Sequence, residues 1–61
     1  MSKILVVDDS PTEIHQFKAM LEKMGHEVIT AENGRDGVKM AISEQPDVVL
    51  MDIVMPDMNG F

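Results

Sequence analysis

Three short apolar runs limit what this chain can fold into. Residues 4–7 (ILVV) and 48–51 (VVLM) are continuous and largely β-branched, with no polar alternation. That pattern belongs to parallel strands covered on both faces. Residues 27–31 (EVITA) form a third strand candidate between them. The intervening segments read as helices. In "DDSPTE", Ser10 stands at the N-cap, Pro11 at N1 and Glu13 at N3, the spacing of a capping box. Ile14, Phe17, Met20, Leu21 and Met24 then recur at helical spacing, and Gly25 occupies the position of a C′ glycine. A second helix is expected after Asn33-Gly34, with Val38, Ala41 and Ile42 as its apolar stripe and a stop before Pro46. Gly37 weakens the helical signal of its first turn.

The resulting β-α-β-α-β order implies an α/β fold with a parallel sheet and right-handed crossovers. There is no low-complexity linker or internal repeat, so a single domain is expected. Strand order 2-1-3 would reverse the winding between the first and third strands. Ligands in such sheets bind beyond the carboxyl ends of the strands at that switch point.

Three acids leave the apolar runs at that edge: Asp8 and Asp9 after the first strand, Asp52 after the third. Three carboxylates in one place repel unless a cation lies among them. With no His or Cys nearby, hard oxygen ligands favour Mg²⁺, which commonly works with phosphate. A carboxylate beside Mg²⁺ can also attack phosphorus and form an aspartyl phosphate. A single Asp after a strand is ordinarily a turn former or helix cap. Here Ser10 already fills the cap, so Asp9 is not needed as the cap and Asp8 cannot be one at the same helix end.

Composition narrows the alternatives. The chain has 61 residues and no cysteine, which excludes disulfides and thiolate metal sites. Its net charge is −6, and Lys3, Lys18, Lys23, Arg35 and Lys39 are scattered, so no nucleic-acid contact is expected. "MSKILVVDD" lacks the apolar stretch of a secretory signal, and no run approaches a membrane span. The expected location is the cytoplasm, without membrane association. Nucleotide-binding glycine motifs are absent. His15 and His26 read as solvated, Arg35 and Asp36 as surface charges, and Lys18 with Glu22 as a pair on a solvated helix face. Asp57 and Asn59 fit turn chemistry, while Met51, Met55 and Met58 read as packing residues.

"ILVVDDSP", followed by "VVLMDIVMPDMNGF", resembles the receiver domain of two-component response regulators over the whole chain. The resemblance implies a flavodoxin-like sheet and Asp52 as the acceptor of a phosphoryl group from a sensor histidine kinase. It implies Mg²⁺ bound by Asp8, Asp9 and Asp52 with the backbone carbonyl of Val54. Pro56 and Gly60 would shape the neighbouring loop. "DDSPTE", "AENGRDGV" and "LMDIVMP" are similar to single-domain regulators of chemotaxis-like systems controlling twitching motility. A receiver has five strands, so residues 1–61 are expected to be its N-terminal half, ending before helix 3. The hydroxyl residue of strand 4 and the Lys of strand 5 would lie outside, leaving switching impaired. The downstream effector is not specified.

Two other readings remain. A haloacid-dehalogenase-like aspartyl-phosphate phosphatase would carry D-x-D, whereas Asp8 and Asp9 are adjacent. Alternatively the chain acts only as an oligomerising module: an uncharged third strand at the sheet edge invites pairing, so the isolated chain is expected to fold poorly or form a homo-oligomer.

Overall fold

The structure, a computed structural model, describes residues 2–52, with the backbone alone for Asp52. The order is β1 (Lys3–Asp8), α1 (Pro11–Lys23), β2 (Glu27–Ala31), α2 (Gly34–Glu44) and β3 (Val48–Asp52). All strands are parallel in the order β2-β1-β3, as the sequence predicts.

β1 is the central strand, and alternation along it divides the core. Ile4 and Val6 pack with Leu21, Val28 and Phe17 on the α1 side. Leu5 and Val7 pack with Ala31, Ile29, Met40 and Ala41 on the α2 side. Both faces of β1 are thus covered, which explains the unbroken apolar run.

α1 starts and stops where the sequence indicates. The Ser10 hydroxyl accepts from the Glu13 N–H at 3.4 Å. At the other end Gly25 has φ +92°, where a β carbon would be strained. The Gly25 N–H donates to the Glu22 carbonyl at 3.0 Å, and the His26 N–H to the Leu21 carbonyl at 3.1 Å. This is a Schellman closure. Ile14 and Leu21 are buried, but Met20 and Met24 of the expected stripe are exposed. The helix lies over β1 and β2, so its far flank has no strand beneath it. His26 is half-buried and its Nδ1 accepts from the Ser2 N–H at 3.4 Å, which corrects its reading as a solvated residue. The surface pair is present: Lys18 Nζ lies 3.1 Å from Glu22 Oε2.

α2 corrects the sequence reading. Of the expected stripe Ala41 packs inward, but Val38 and Ile42 are 55% and 72% exposed, and Gly37 and Met40 dock in their place. Gly37 lies against Val7, where an added β carbon would stand 2.8 Å from Val7 Cγ2. The smallest residue therefore allows the closest approach, which rotates the bulkier pair outward. Asn33 caps the start: its Oδ1 accepts from the Asp36 N–H at 2.8 Å.

The helix ends on Gln45, a non-glycine residue at φ 50°. A left-handed conformation penalises any β carbon, while glycine loses more freedom on folding. Gln45→Gly is expected to raise stability by about 0.5–1 kcal/mol, the difference between those two effects, read as a shift in urea midpoint at constant slope.

A clasp before β3 sets its register. The Asp47 N–H donates to the Lys3 carbonyl at 2.8 Å, and the Lys3 N–H returns to Asp47 Oδ2 at 2.8 Å. Lys3 Nζ also reaches the Glu44 carbonyl at 3.3 Å and Glu44 Oε1 at 3.4 Å. Ile4 then pairs with Val48, and the count runs in step to Asp8 beside Asp52. A slip of one residue would separate those two acids.

Candidate functional site

Asp8 is the last residue of β1 and is 1% exposed. Its Oδ1 accepts from the Ser10 N–H at 2.9 Å, an Asx-type bond two residues ahead. Ser10 is the N-cap of α1, as expected, and Asp8 holds the Ser10 N–H without being a cap itself. The signal was present in the Asp-x-Ser spacing. Its other oxygen, Oδ2, is buried and without a hydrogen-bond partner among the described residues. Such an oxygen needs compensation, because burying an unpaired carboxylate oxygen is costly.

Asp9 lies in the bend after β1 and is exposed. Asp52 stands in register with Asp8 on the adjacent strand. Neighbouring strands lie about 4.8 Å apart, so the backbone alone brings these two positions together from distant points in the sequence. Among the described residues no three acidic, His or Cys side chains converge as a metal cluster. The Asp52 side chain lies outside the described residues, as do Val54, Met55, Pro56, Asp57, Met58, Asn59 and Gly60.

The donor set still fits a hard cation. Asp8 offers one oxygen fixed by Ser10 and one buried oxygen with no donor among the described residues, and Asp9 follows directly in an exposed bend. Oxygen-only ligation with room for water is what Mg²⁺ requires. A separate shallow groove of about 430 Å³ lies past β2, lined by Thr30, Ala31, Glu32, Asp36, Lys39 and Met40. It includes neither Asp8 nor Asp9. No helix among the described residues is long and apolar enough to cross a membrane.

Comparison with known proteins bears on this edge. The family model for the response regulator receiver domain matches residues 4–61. The chain is 67% identical to Protein PilH of Pseudomonas aeruginosa over 61 residues, covering all of this chain and 50% of PilH. It is 40% identical over 58 residues to the alkaline phosphatase synthesis transcriptional regulatory protein PhoP of Bacillus subtilis, covering 95% of this chain and 24% of PhoP. The chain therefore spans about half the length of PilH and a quarter of PhoP. Among solved structures, the N-terminal domain of a response regulator receiver protein from Methanoculleus marisnigri superposes with a TM-score of 0.87 at 43% identity. That match covers 92% of this chain and 46% of the other. With the fold, the register of Asp8 beside Asp52 and the family match in agreement, the chain belongs to the response regulator receiver family.

Proposed function

We propose that Asp52 is the phosphoacceptor of a histidine kinase to aspartate relay, with Mg²⁺ held by Asp8, Asp9, Asp52 and the Val54 carbonyl. The observation that carries this reading is the Oδ2 of Asp8, buried and without a hydrogen-bond partner among the described residues, on the strand position next to Asp52. An Asp52 oxygen would bond to phosphorus as the bond to the donor's leaving group breaks. When bound, the metal would offset the charge of the entering phosphoryl group. Asp8, locked by Ser10, would hold its free oxygen ready without reorganisation. As part of a full-length receiver it would act as a cytoplasmic signalling domain, accepting one phosphoryl group and releasing it slowly, without turning over a separate substrate; residues 1–61 alone would be impaired in switching. The resemblance of "DDSPTE" to twitching-motility regulators, together with 67% identity to PilH, supports a place in chemotaxis-like control of motility.

The test uses the full-length receiver and a small-molecule phosphodonor with and without Mg²⁺, read by intact mass and peptide mapping. A phosphoryl increment is expected on Asp52, dependent on Mg²⁺ and absent in Asp52→Asn. An increment that persists in Asp52→Asn would remove the site.

Residues 1–61 form, in this reading, the N-terminal half of a receiver domain. It is supported by the coverage of half of PilH and by the exposure of Val48, Val49, Leu50 and Met51 on edge strand β3. The same exposed strand favours a second property, self-association of the isolated chain through β3. Sedimentation at micromolar concentration checks it, and a cooperatively folded monomer would refute it.

A further inference from the structure

We propose that Asn33-Gly34 is a deamidation site guarded by the cap of α2, and that conversion there loosens the cap through Asp36. Asparagine followed by glycine is the dipeptide in which the next backbone nitrogen attacks the side-chain amide most readily, since no side chain obstructs it. The Gly34 nitrogen loses its proton and bonds to Asn33 Cγ; the Cγ–Nδ2 bond breaks and ammonia leaves. Water then opens the cyclic imide at either carbonyl, giving aspartate or isoaspartate. Water is the sole co-reactant, and no electron transfer is involved.

The fold holds this reaction in check. Asn33 has φ −153° and ψ 168°, an extended cap. Its Oδ1 accepts from the Asp36 N–H at 2.8 Å, and its Nδ2 donates to Asp36 Oδ2 at 3.1 Å. Both side-chain heteroatoms are therefore tied to one residue a turn ahead. The side chain must leave both bonds before Cγ can swing onto the Gly34 nitrogen. Asn33 is nonetheless exposed, so water reaches it whenever the cap opens.

The product is not equivalent to the parent, although aspartate is ordinarily as good a cap as asparagine. Here the Nδ2–H group that donates to Asp36 is replaced by a carboxylate oxygen. A hydrogen bond becomes a contact between like charges, with Glu32 adjacent in sequence and Arg35 the nearest cation along the chain. The favourable placement of negative charge at a helix start opposes this, but Asp36 already supplies that charge. Isoaspartate adds a backbone atom and removes the cap geometry.

The site can be read without ambiguity. Trypsin cuts after Lys23 and Arg35, and the peptide "MGHEVITAENGR" contains one amide side chain, that of Asn33. The chain is aged at mildly alkaline pH with and without denaturing urea, and the near-unit mass gain of that peptide is followed. Deamidation is expected to be at least tenfold slower without urea, and Asp36→Ala is expected to restore a several-fold faster rate. Equal rates with and without urea would overturn protection by the cap. For the consequence, Asn33→Asp is compared in the parent and in Asp36→Asn. A loss of stability seen only with Asp36 present, and shrinking with added salt, supports the proposal. An identical effect in both backgrounds would overturn it. Should Asn33→Asp fail to fold, recovery in the double variant supports the charge contact, and no recovery refutes it.

Discussion

Asp8→Asn is expected to make the metal-free chain more stable by about 1–3 kcal/mol, the margin by which a buried carboxylate charge costs more than a buried neutral amide. The same substitution is expected to remove stabilisation by Mg²⁺. Asparagine keeps an oxygen to accept the Ser10 N–H, now made by Oδ1 at 2.9 Å, so the start of α1 is preserved. What changes is the second oxygen, which is buried without a hydrogen-bond partner among the described residues. Replacing it with a neutral amide removes the cost of holding a carboxylate in a site 1% exposed. A ligand that binds only the folded chain adds RT ln(1 + [L]/Kd), about 2.7 kcal/mol at a hundredfold excess over Kd. The parent should therefore show a urea midpoint that climbs with Mg²⁺, and Asp8→Asn a higher but flat one. Asp8→Ala separates the two roles: it also loses the Ser10 acceptor and should gain less than Asp8→Asn. A metal-free Asp8→Asn chain no more stable than the parent would mean that Oδ2 carries no penalty.

Much of the site was legible because it depends on backbone order. Continuous runs, a capping box and a C′ glycine are local signals, and they yielded β-α-β-α-β and the edge shared by Asp8, Asp9 and Asp52. The register that aligns Asp8 with Asp52 was not legible, because it rests on the Lys3–Asp47 clasp between residues distant in sequence. Nor could hydrophobicity show which face of α2 is inside. The pattern favoured Val38 and Ile42, whereas packing favoured Gly37, since distance of approach depends on the partner surface as well as the helix. Asp8 was legible as a candidate ligand but not as a participant in the turn. Its two oxygens differ: Oδ1 accepts from the Ser10 N–H, and Oδ2 is buried with no hydrogen-bond partner among the described residues.

Gly37→Ala tests that packing with a sign that depends on one neighbour. In a helix interior alanine is favoured over glycine by about 1 kcal/mol. Against this, the new β carbon would lie 2.8 Å from Val7 Cγ2 and 3.0 Å from Val7 Cγ1. Val7 is fully buried and stiff at χ1, so it cannot rotate out of the way at low cost. Overpacking of this kind costs about 1–3 kcal/mol, which exceeds the propensity gain, and a net loss is expected. Val7→Ala alone should cost about 2–3 kcal/mol by leaving a cavity beneath α2. In the Val7→Ala background the two clashing methyls are gone and the remaining contact, to Cβ at 3.5 Å, is ordinary. There Gly37→Ala should stabilise, and the four proteins should show a coupling of about 1–3 kcal/mol, the overpacking cost itself. Urea titrations of the set, with a stabilising osmolyte keeping the weakest variant folded, give the cycle directly. Additive effects would mean that α2 does not rest on Val7 through Gly37, and the close approach that turns Val38 and Ile42 outward would lose its cause.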